Sequence, residues 1–173
     1  MGTLKNSKLT IKNSNEFPCS YIDGRSERRV LVNIPNSKIG NEVISELTKK
    51  GFRRNYDHMY IPSCRSCNSC ISSRINIFDF VFSKSNKRNL KNNIDLFLVE
   101  KKEFTEERFE LFKNYCKIRH ADGQMKDMTQ KEFINFFHSS TNKTKIFDLE
   151  NFDKKLYGSI LVDVIEGGYS AVY

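Results

Sequence analysis

Three cysteines lie close together in the sequence, in the order Cys64-x2-Cys67-x2-Cys70. Thiolates at this spacing can converge on one zinc ion or iron–sulfur cluster. A ferredoxin-like run would place a fourth cysteine where Arg74 stands, and Cys19 is the only other cysteine in the basic half of the chain. Cys19 is therefore the candidate fourth ligand. The alternative is that these thiols pack a small lobe without metal, and the spacing leaves both interpretations open.

A second group with chemical potential lies at the expected end of a helix. Arg119, His120 and Asp122 are followed by Gly123, so a guanidinium, an imidazole and a carboxylate share one turn. A single histidine at a helix C-terminus often only complements the helix dipole. The neighbouring Arg and Asp favour a catalytic corner, in which charged groups orient a substrate and move a proton.

Basic residues are concentrated in the first half of the chain. Residues 1–93 contain 17 Lys and Arg against 7 Asp and Glu, whereas residues 94–173 contain 12 against 14. Such asymmetry favours an anionic partner, although a solvated lysine-rich surface would look the same. Two clusters could contact phosphates, and a tyrosine near the first could stack on a base; these candidates are Arg53, Arg54 and Tyr60, and Lys84, Ser85 and Arg88.

The hydrophobic periodicity predicts an α+β fold. Capping signals mark two helices, since Thr105 can cap one and Thr129-x2-Glu132 forms a capping box for the other. The predicted helices cover 36–50, 104–120 and a segment after 129, and the predicted strands cover 75–82, 94–98, 145–149, 156–165 and 169–173. Residues 83–93 are predicted to be a polar connection, and Cys116 is predicted to be buried packing on its helix.

Composition also sets the expected organisation. Residues 1–15 are predicted to be a disordered tail, residues 16–93 a basic lobe with the cysteine cluster, and residues 94–173 a second lobe. No apolar run approaches the roughly 20 residues that cross a bilayer, and the polar N-terminus does not look like a signal peptide. The expected location is the cytoplasm.

The order of several short motifs is similar to that of the aminoacyl-tRNA–protein transferases, which include aspartate/glutamate leucyltransferases and arginyl-tRNA–protein transferases. The motifs extend from Phe17 to the last residue: Pro18-Cys19-Ser20-Tyr21, Gly51-Phe52-Arg53-Arg54, Tyr60-Ile61-Pro62-x-Cys-x2-Cys-x2-Cys, Phe82-Ser83-Lys84-Ser85-x2-Arg88, Tyr115-x3-Arg119-His120-x-Asp122-Gly123 and Ser170-Ala171-Val172-Tyr173. The chain departs from bacterial relatives by Ile71-Ser72-Ser73, where a proline is common. The resemblance implies a small cysteine-bearing lobe packed on a GNAT-like mixed sheet, which is expected to be incomplete at the C-terminus.

The resemblance also implies a reaction. Members transfer leucine, or arginine in eukaryotic-type members, from tRNA to proteins that begin with Asp or Glu, and they need no cofactor or membrane. Arg119, His120 and Asp122 would then form the transfer site, while the basic candidates and Tyr173 would contact substrate or tRNA. The non-enzymatic alternative is an RNA-binding module with zinc or a cluster at its cysteines. A coenzyme A acetyltransferase is disfavoured, because no glycine-rich strand-to-helix loop is present for a pyrophosphate.

Overall fold

Sheets and helices are combined in an α+β fold in the computed structural model, which describes residues 9–35, 39–121, 123–137 and 143–173. This confirms the predicted fold class. The strands are β1 (Ile11–Asn13), β2 (Phe17–Pro18), β3 (Ser26–Glu27), β4 (Arg29–Asn33), β5 (Arg53–Asn55), β6 (His58–Pro62), β7 (Phe97–Lys101), β8 (Thr144–Glu150), β9 (Leu156–Ile165) and β10 (Gly168–Ala171). The helices are α1 (Gly40–Lys49), α2 (Lys84–Asn92), α3 (Glu106–Arg119) and α4 (Gln130–Phe137), with a 3₁₀ turn at Gln124–Asp127.

Residue packing divides the chain into two compact units. The first unit comprises the described residues of 1–73, 139–143 and 163–172, and the second comprises those of 74–138, 144–162 and 173. The sequence placed a lobe boundary after Asn93, whereas the packing places it after Ser73. The two differ because helix α2, which the sequence interpretation treated as a connection, belongs with the strands and helices that follow it.

In the first unit, a four-stranded sheet of order β1-β4-β6-β5 packs against helix α1. Val32, Ile44 and Met59 are almost completely buried at its centre, and each stabilises the fold by about 1.5–3 kcal/mol. Helix α1 ends where Gly51 adopts a φ of +90°, a conformation that side-chain-bearing residues disfavour. The predicted helix over 36–50 is confirmed as α1, which begins at Gly40 and ends at Lys49.

A second four-stranded sheet has the order β10-β9-β8-β7. Phenylalanines from α3 and α4 form the core of the second unit. The Phe133 ring lies 5.0 Å from that of Phe112 and 4.2 Å from that of Phe137. Thr105 accepts a hydrogen bond from the Arg108 backbone, and the Thr129–Glu132 capping box is present. Both predicted helix starts are confirmed.

Three predictions of local structure are wrong. Residues 83–93 contain helix α2, because Ser83 and Asn86 form a capping box. Residues 75–82 do not form a strand, because Asn76 accepts a hydrogen bond from the Phe78 backbone and begins a turn. Ile11–Asn13 pairs with Val30–Val32 as an edge strand, so the predicted disordered tail does not extend through these residues. Within the described part of the chain, no helix is long and apolar enough to span a membrane.

Candidate active site

The predicted catalytic corner lies at the C-terminal end of helix α3. Arg119 is the last helical residue and His120 follows it, with both side chains exposed to solvent. The His120 backbone donates to the carbonyl of Cys116 at 2.8 Å, and the Gly123 backbone donates to the carbonyl of His120 at 2.9 Å. These bonds close a tight turn, and a Cβ at Gly123 would lie only 3.2 Å from the His120 carbonyl oxygen. Asp122 lies outside the described residues.

Two tyrosines connect this corner to the interior of the second unit. The Tyr115 ring lies 5.5 Å from the His120 ring and 6.0 Å from the Tyr173 ring, in edge-to-face arrangements. The Tyr173 hydroxyl lies 3.3 Å from the sulfur of Cys116, which is completely buried as predicted. Burial, this contact and the nearby charges of Cys116 and Tyr115 raise the pKa of Tyr173 well above its ordinary value. Its phenol is therefore protonated at neutral pH and can act as a hydrogen-bond donor.

A cleft of about 500 Å³ opens beside these rings. We name it the tyrosine cleft; its walls come from three tyrosines, four apolar residues and three others, namely Tyr115, Tyr157, Tyr173, Leu111, Phe112, Phe137, Ile160, Arg108, Gly158 and Ser159. Tyr115 and Tyr157 are about half exposed, whereas Phe112 and Phe137 are buried. The cleft is thus an apolar depression whose rim reaches the predicted catalytic corner through Tyr115.

Arg108 forms part of the cleft wall but is not available to a substrate. Its Nε and Nη2 donate to the two carboxylate oxygens of Asp148 at 2.9 and 2.6 Å, and its Nη1 donates to the carbonyl of Glu103 at 2.8 Å. Both side chains of the Arg108–Asp148 pair are almost completely buried. The sequence interpretation missed this pair. The available signal was Arg108 at the i+4 position between Phe104 and Phe112, where an amphipathic helix normally carries an apolar residue.

The second predicted phosphate contact, formed by Lys84, Ser85 and Arg88, is exposed to solvent. Lys84, Ser85 and Arg88 lie on helix α2, which contains no buried residue and no acidic residue in its first turn. Lys87 and Lys91 add two further basic side chains to the same helix. The helix therefore presents a positive surface, and its role as a phosphate contact is a prediction that the geometry permits.

All four candidate metal ligands line one cleft in the first unit. Cys19, Cys64, Cys67 and Cys70 share this cleft of about 520 Å³, which we name the cysteine cleft, with Arg25 and Arg53 among other residues. However, among the described residues no group of three or more His, Cys, Asp or Glu side chains is arranged to hold a metal ion. The four thiols line one cleft, and metal binding by them stays a prediction.

One thiol of the cysteine cleft, that of Cys67, has a lowered pKa. Hydrogen bonds from the side chain and backbone of Ser69, with a smaller contribution from Arg25, lower the pKa of the Cys67 thiol. The Ser69 hydroxyl lies 3.4 Å from the Cys67 sulfur. Cys67 therefore carries more thiolate near neutral pH than an unperturbed cysteine would.

Arg53 and Tyr60 face one another across strands β5 and β6. Burial lowers the pKa of Arg53, but hydrogen bonds and charge interactions with Tyr60 and Tyr21 outweigh burial, and the net pKa is raised. One face of the Tyr60 ring is covered by Arg29, whose guanidinium lies 4.4 Å from the ring centroid. Arg53 thus reaches the cysteine cleft, whereas Tyr60 has only part of its ring left for stacking on a base.

The prediction that Arg54 contacts substrate or tRNA is wrong. Its side chain is 1% exposed and donates to Asp163 at 2.7 Å through Nε and to the carbonyl of Tyr56 at 3.0 Å through Nη1. Because β-strand side chains alternate between faces, Arg53 and its neighbour Arg54 point in opposite directions. Arg54 is buried in the first unit and cannot reach a phosphate.

Comparison with known proteins confirms the family resemblance that the order of the motifs indicated. Residues 17–88 match the family model described as arginine-tRNA-protein transferase, N terminus, and residues 107–173 match that for the C terminus. An aspartate/glutamate leucyltransferase of Saccharophagus degradans is 32% identical over 96% of this chain and 71% of its own length. The corresponding values are 34%, 98% and 70% for the Teredinibacter turnerae leucyltransferase, and 37%, 90% and 58% for that of Caulobacter vibrioides.

The chain therefore spans between 58% and 71% of the length of these three relatives. Two family models together match most of the chain, and the identity exceeds 30% over nearly all of it. By these matches, the chain belongs to the arginine-tRNA–protein transferase family of aminoacyltransferases, which includes bacterial aspartate/glutamate leucyltransferases.

Proposed function

We propose that this protein transfers leucine from leucyl-tRNA to the α-amine of proteins that begin with Asp or Glu. The amine nitrogen attacks the ester carbonyl, a C–N bond forms, the ester C–O bond breaks, and the ribose oxygen receives a proton. The ester is already activated, and an α-amine with a pKa near 8 is roughly a tenth neutral at pH 7. The protein must mainly align amine and ester and stabilise the oxyanion.

The observation that carries the proposal is the exposed Arg119–His120 corner, which adjoins the tyrosine cleft through Tyr115. In the proposed site, Asp122 holds the attacking ammonium or accepts its proton. Arg119 or His120 meets the acidic side chain of the protein substrate or the oxyanion. The protonated Tyr173 phenol, held in contact with Cys116, supplies a further neutral donor beside them.

The proposed partners are leucyl-tRNA and proteins with an acidic N-terminal residue, which places the reaction in the cytoplasm. Helix α2 offers Lys84 and Arg88 to phosphates or to the acidic side chain, with Ser85 adding a hydroxyl. In the first unit, Arg53 and the partly covered Tyr60 are further candidate contacts for the nucleic acid. We assign the basic residues of the first unit and of helix α2 to binding, and the Arg119–His120 corner of the second unit to transfer.

The proposed reaction needs no cofactor, because amide formation from an ester involves neither oxidation nor an external activator. Zinc or an iron–sulfur cluster at Cys19, Cys64, Cys67 and Cys70 would require the thiols to rearrange from the positions described above. No step of the transfer is assigned to such a group.

A charged-tRNA assay tests the proposal. Labelled leucine should move from leucyl-tRNA onto peptides that begin with Asp or Glu and not onto a matched peptide that begins with Ala. Arg119→Ala and Asp122→Asn should each lower the rate at least about tenfold, because general acid–base catalysis typically contributes about 10²–10⁴-fold. Lys117→Ala, at an exposed position of the same helix, is the control and should retain the wild-type rate.

The alternatives predict different outcomes. Rates within twofold of wild type for both Arg119→Ala and Asp122→Asn would exclude the proposed corner as the transfer site. Transfer from arginyl-tRNA instead of leucyl-tRNA would indicate an arginyltransferase. Salt-sensitive binding of tRNA without transfer to any peptide would favour the RNA-binding module that helix α2 alone could support.

A further inference from the structure

We infer that the tyrosine cleft holds the side chain of the donated amino acid and selects leucine over arginine. This inference rests on the proposed function, which requires an aminoacyl donor but does not by itself say where the donor's side chain is bound. The cleft volume of about 500 Å³ lies within the roughly 300–1,000 Å³ that is usual for small-ligand sites. A leucyl side chain occupies part of this space and leaves room for the ester that must reach the corner.

The lining of the cleft suits an apolar side chain. Leu111, Phe112 and Ile160 provide aliphatic and aromatic surface, and the buried Phe137 also lines the cleft. A leucyl group moved from water into this lining gains hydrophobic free energy in proportion to the area that it buries. The lining thus favours leucine over smaller or polar donors.

The charge in the cleft disfavours arginine. Arg108 is the only formally charged residue among the described lining residues, and its carboxylate partner Asp148 already accepts two hydrogen bonds from it. An arginyl guanidinium would lose hydration without meeting a free carboxylate, and it would lie near a like charge. An arginyl donor therefore binds this lining much more weakly than a leucyl donor.

The position of the cleft places the reacting ester at the corner. Tyr115 lines the cleft and its ring also contacts His120 at 5.5 Å. A donor whose side chain lies among Leu111, Phe112 and Ile160 can thus direct its carbonyl past Tyr115 towards His120. Ser159 also lines the cleft, and its buried hydroxyl oxygen has no hydrogen-bond partner in the described part of the chain. A polar group of the bound donor would satisfy it.

Binding of two synthetic donors tests the inference. Leucyl- and arginyl-adenosine with a stable amide in place of the ester, titrated calorimetrically into the full chain, should differ at least tenfold in Kd in favour of leucine. Leu111→Glu places a carboxylate in the wall and should reduce this ratio at least tenfold. Ile118→Glu makes the same kind of change at an exposed position of helix α3 and should leave the ratio unchanged.

A second variant keeps the test decisive if Leu111→Glu does not fold. Leu111→Ala only removes apolar surface, so it should weaken leucyl-adenosine binding about tenfold and leave arginyl-adenosine binding unchanged. Equal affinities for the two analogues, binding of neither, or wild-type ratios in folded Leu111 variants would overturn the inference.

The inference and the proposed function can fail separately. Selective leucyl-adenosine binding that depends on Leu111, without transfer from leucyl-tRNA to any peptide, would support the cleft and refute the transferase activity. Transfer of leucine whose preference over arginine is the same in wild type and Leu111→Glu would support the activity and refute the cleft.

Discussion

The hydroxyl of Tyr173 lies 3.3 Å from the buried sulfur of Cys116 on helix α3. The Tyr173 ring also packs against that of Phe112, with the centroids 5.3 Å apart. On strand β9, the backbone of Leu161 donates to the Tyr173 carbonyl at 2.9 Å. Tyr173 is thus fixed by its ring, its hydroxyl and its backbone beside the proposed transfer corner.

The raised pKa of Tyr173 predicts a loss of stability in alkaline solution. Its folded-state pKa lies above the ordinary value of 10.0, so the folded protein holds this proton more tightly than the unfolded chain. The corresponding stability is fully present below about pH 10 and is lost as the pH rises further. Tyr173→Phe should reduce the slope of the free energy of unfolding against pH by an amount that corresponds to at most one bound proton. Urea unfolding at successive pH values measures this slope. Tyr169→Phe, which alters an exposed ring, should not change it.

The Arg108–Asp148 pair predicts a large asymmetry between single and double substitutions. Asp148→Asn should lower the free energy of unfolding by about 3–5 kcal/mol, because it leaves a buried guanidinium without its counter-charge. Arg108→Met combined with Asp148→Leu should cost less than Asp148→Asn alone. Lys145→Ala breaks the more exposed pair with Glu100 and should cost no more than about 1 kcal/mol. Equal losses for the buried and exposed pairs, by urea unfolding, would contradict the structural role of Arg108.

The adjacent residues Arg53 and Arg54 are expected to differ in how much each contributes to the free energy of unfolding. Arg54→Met should lower the free energy of unfolding by about 3–5 kcal/mol, because Asp163 would remain buried without the guanidinium. Arg53→Met should have a much smaller effect on stability, since Arg53 is partly exposed at the cysteine cleft. Thermal unfolding of the two variants under one condition measures the difference. The reverse order would mean that the assignment of the two side chains to opposite faces is wrong.

Local signals predicted helices α1, α3 and α4 but not α2, and the buried ion pairs also escaped prediction. Thr105 and the Thr129–Glu132 box act within a few residues of the chain, so their capping could be read directly from sequence. Arg54 and Arg108 depend on carboxylates 109 and 40 residues away. Nothing near either arginine in the sequence indicates those partners. Arg54 was therefore predicted to contact a phosphate, whereas its buried side chain donates a hydrogen bond to Asp163.

The candidate site was predicted in part for the same reason. The Arg119–His120 corner follows from the end of a strongly signalled helix. Close spacing brings three thiols to the cysteine cleft, and Cys19 was proposed because it is the only other cysteine in the basic half of the chain. The tyrosine cleft was not predicted, because it joins residues of α3, α4 and β9 through packing. Alternating apolar residues at 75–82 suggested a strand, but a strand also needs a partner to supply its hydrogen bonds. In the structure a turn that begins at Asn76 forms in place of the predicted strand.

The lowered pKa of Cys67 predicts the order of thiol alkylation. At pH 7, Cys67 should react with iodoacetamide faster than the more exposed Cys70, because a larger fraction of Cys67 is thiolate. Ser69→Ala removes the hydroxyl that contacts the sulfur and should slow Cys67. Ser66→Ala, in the same loop, should leave the alkylation rate of Cys67 unchanged. Peptide mass spectrometry over a time course gives the rates, and faster labelling of Cys70 would contradict the prediction.

Helix α2 predicts a salt-dependent interaction with nucleic acid. Its basic side chains are solvent-exposed, and Lys84 and Arg88 lie one turn apart on it. Each neutralised phosphate releases counterions, so the slope of log affinity against log salt should fall by about 0.7–0.9 for each phosphate that the protein no longer neutralises. Lys84→Gln with Arg88→Gln should therefore reduce the slope for tRNA by about 1.4–1.8. A matched removal of charge at two exposed lysines elsewhere, Lys102→Gln with Lys131→Gln, should leave the slope nearly unchanged. If both double variants reduce the slope equally, the chain is attracted by net charge alone and helix α2 does not bind the phosphates.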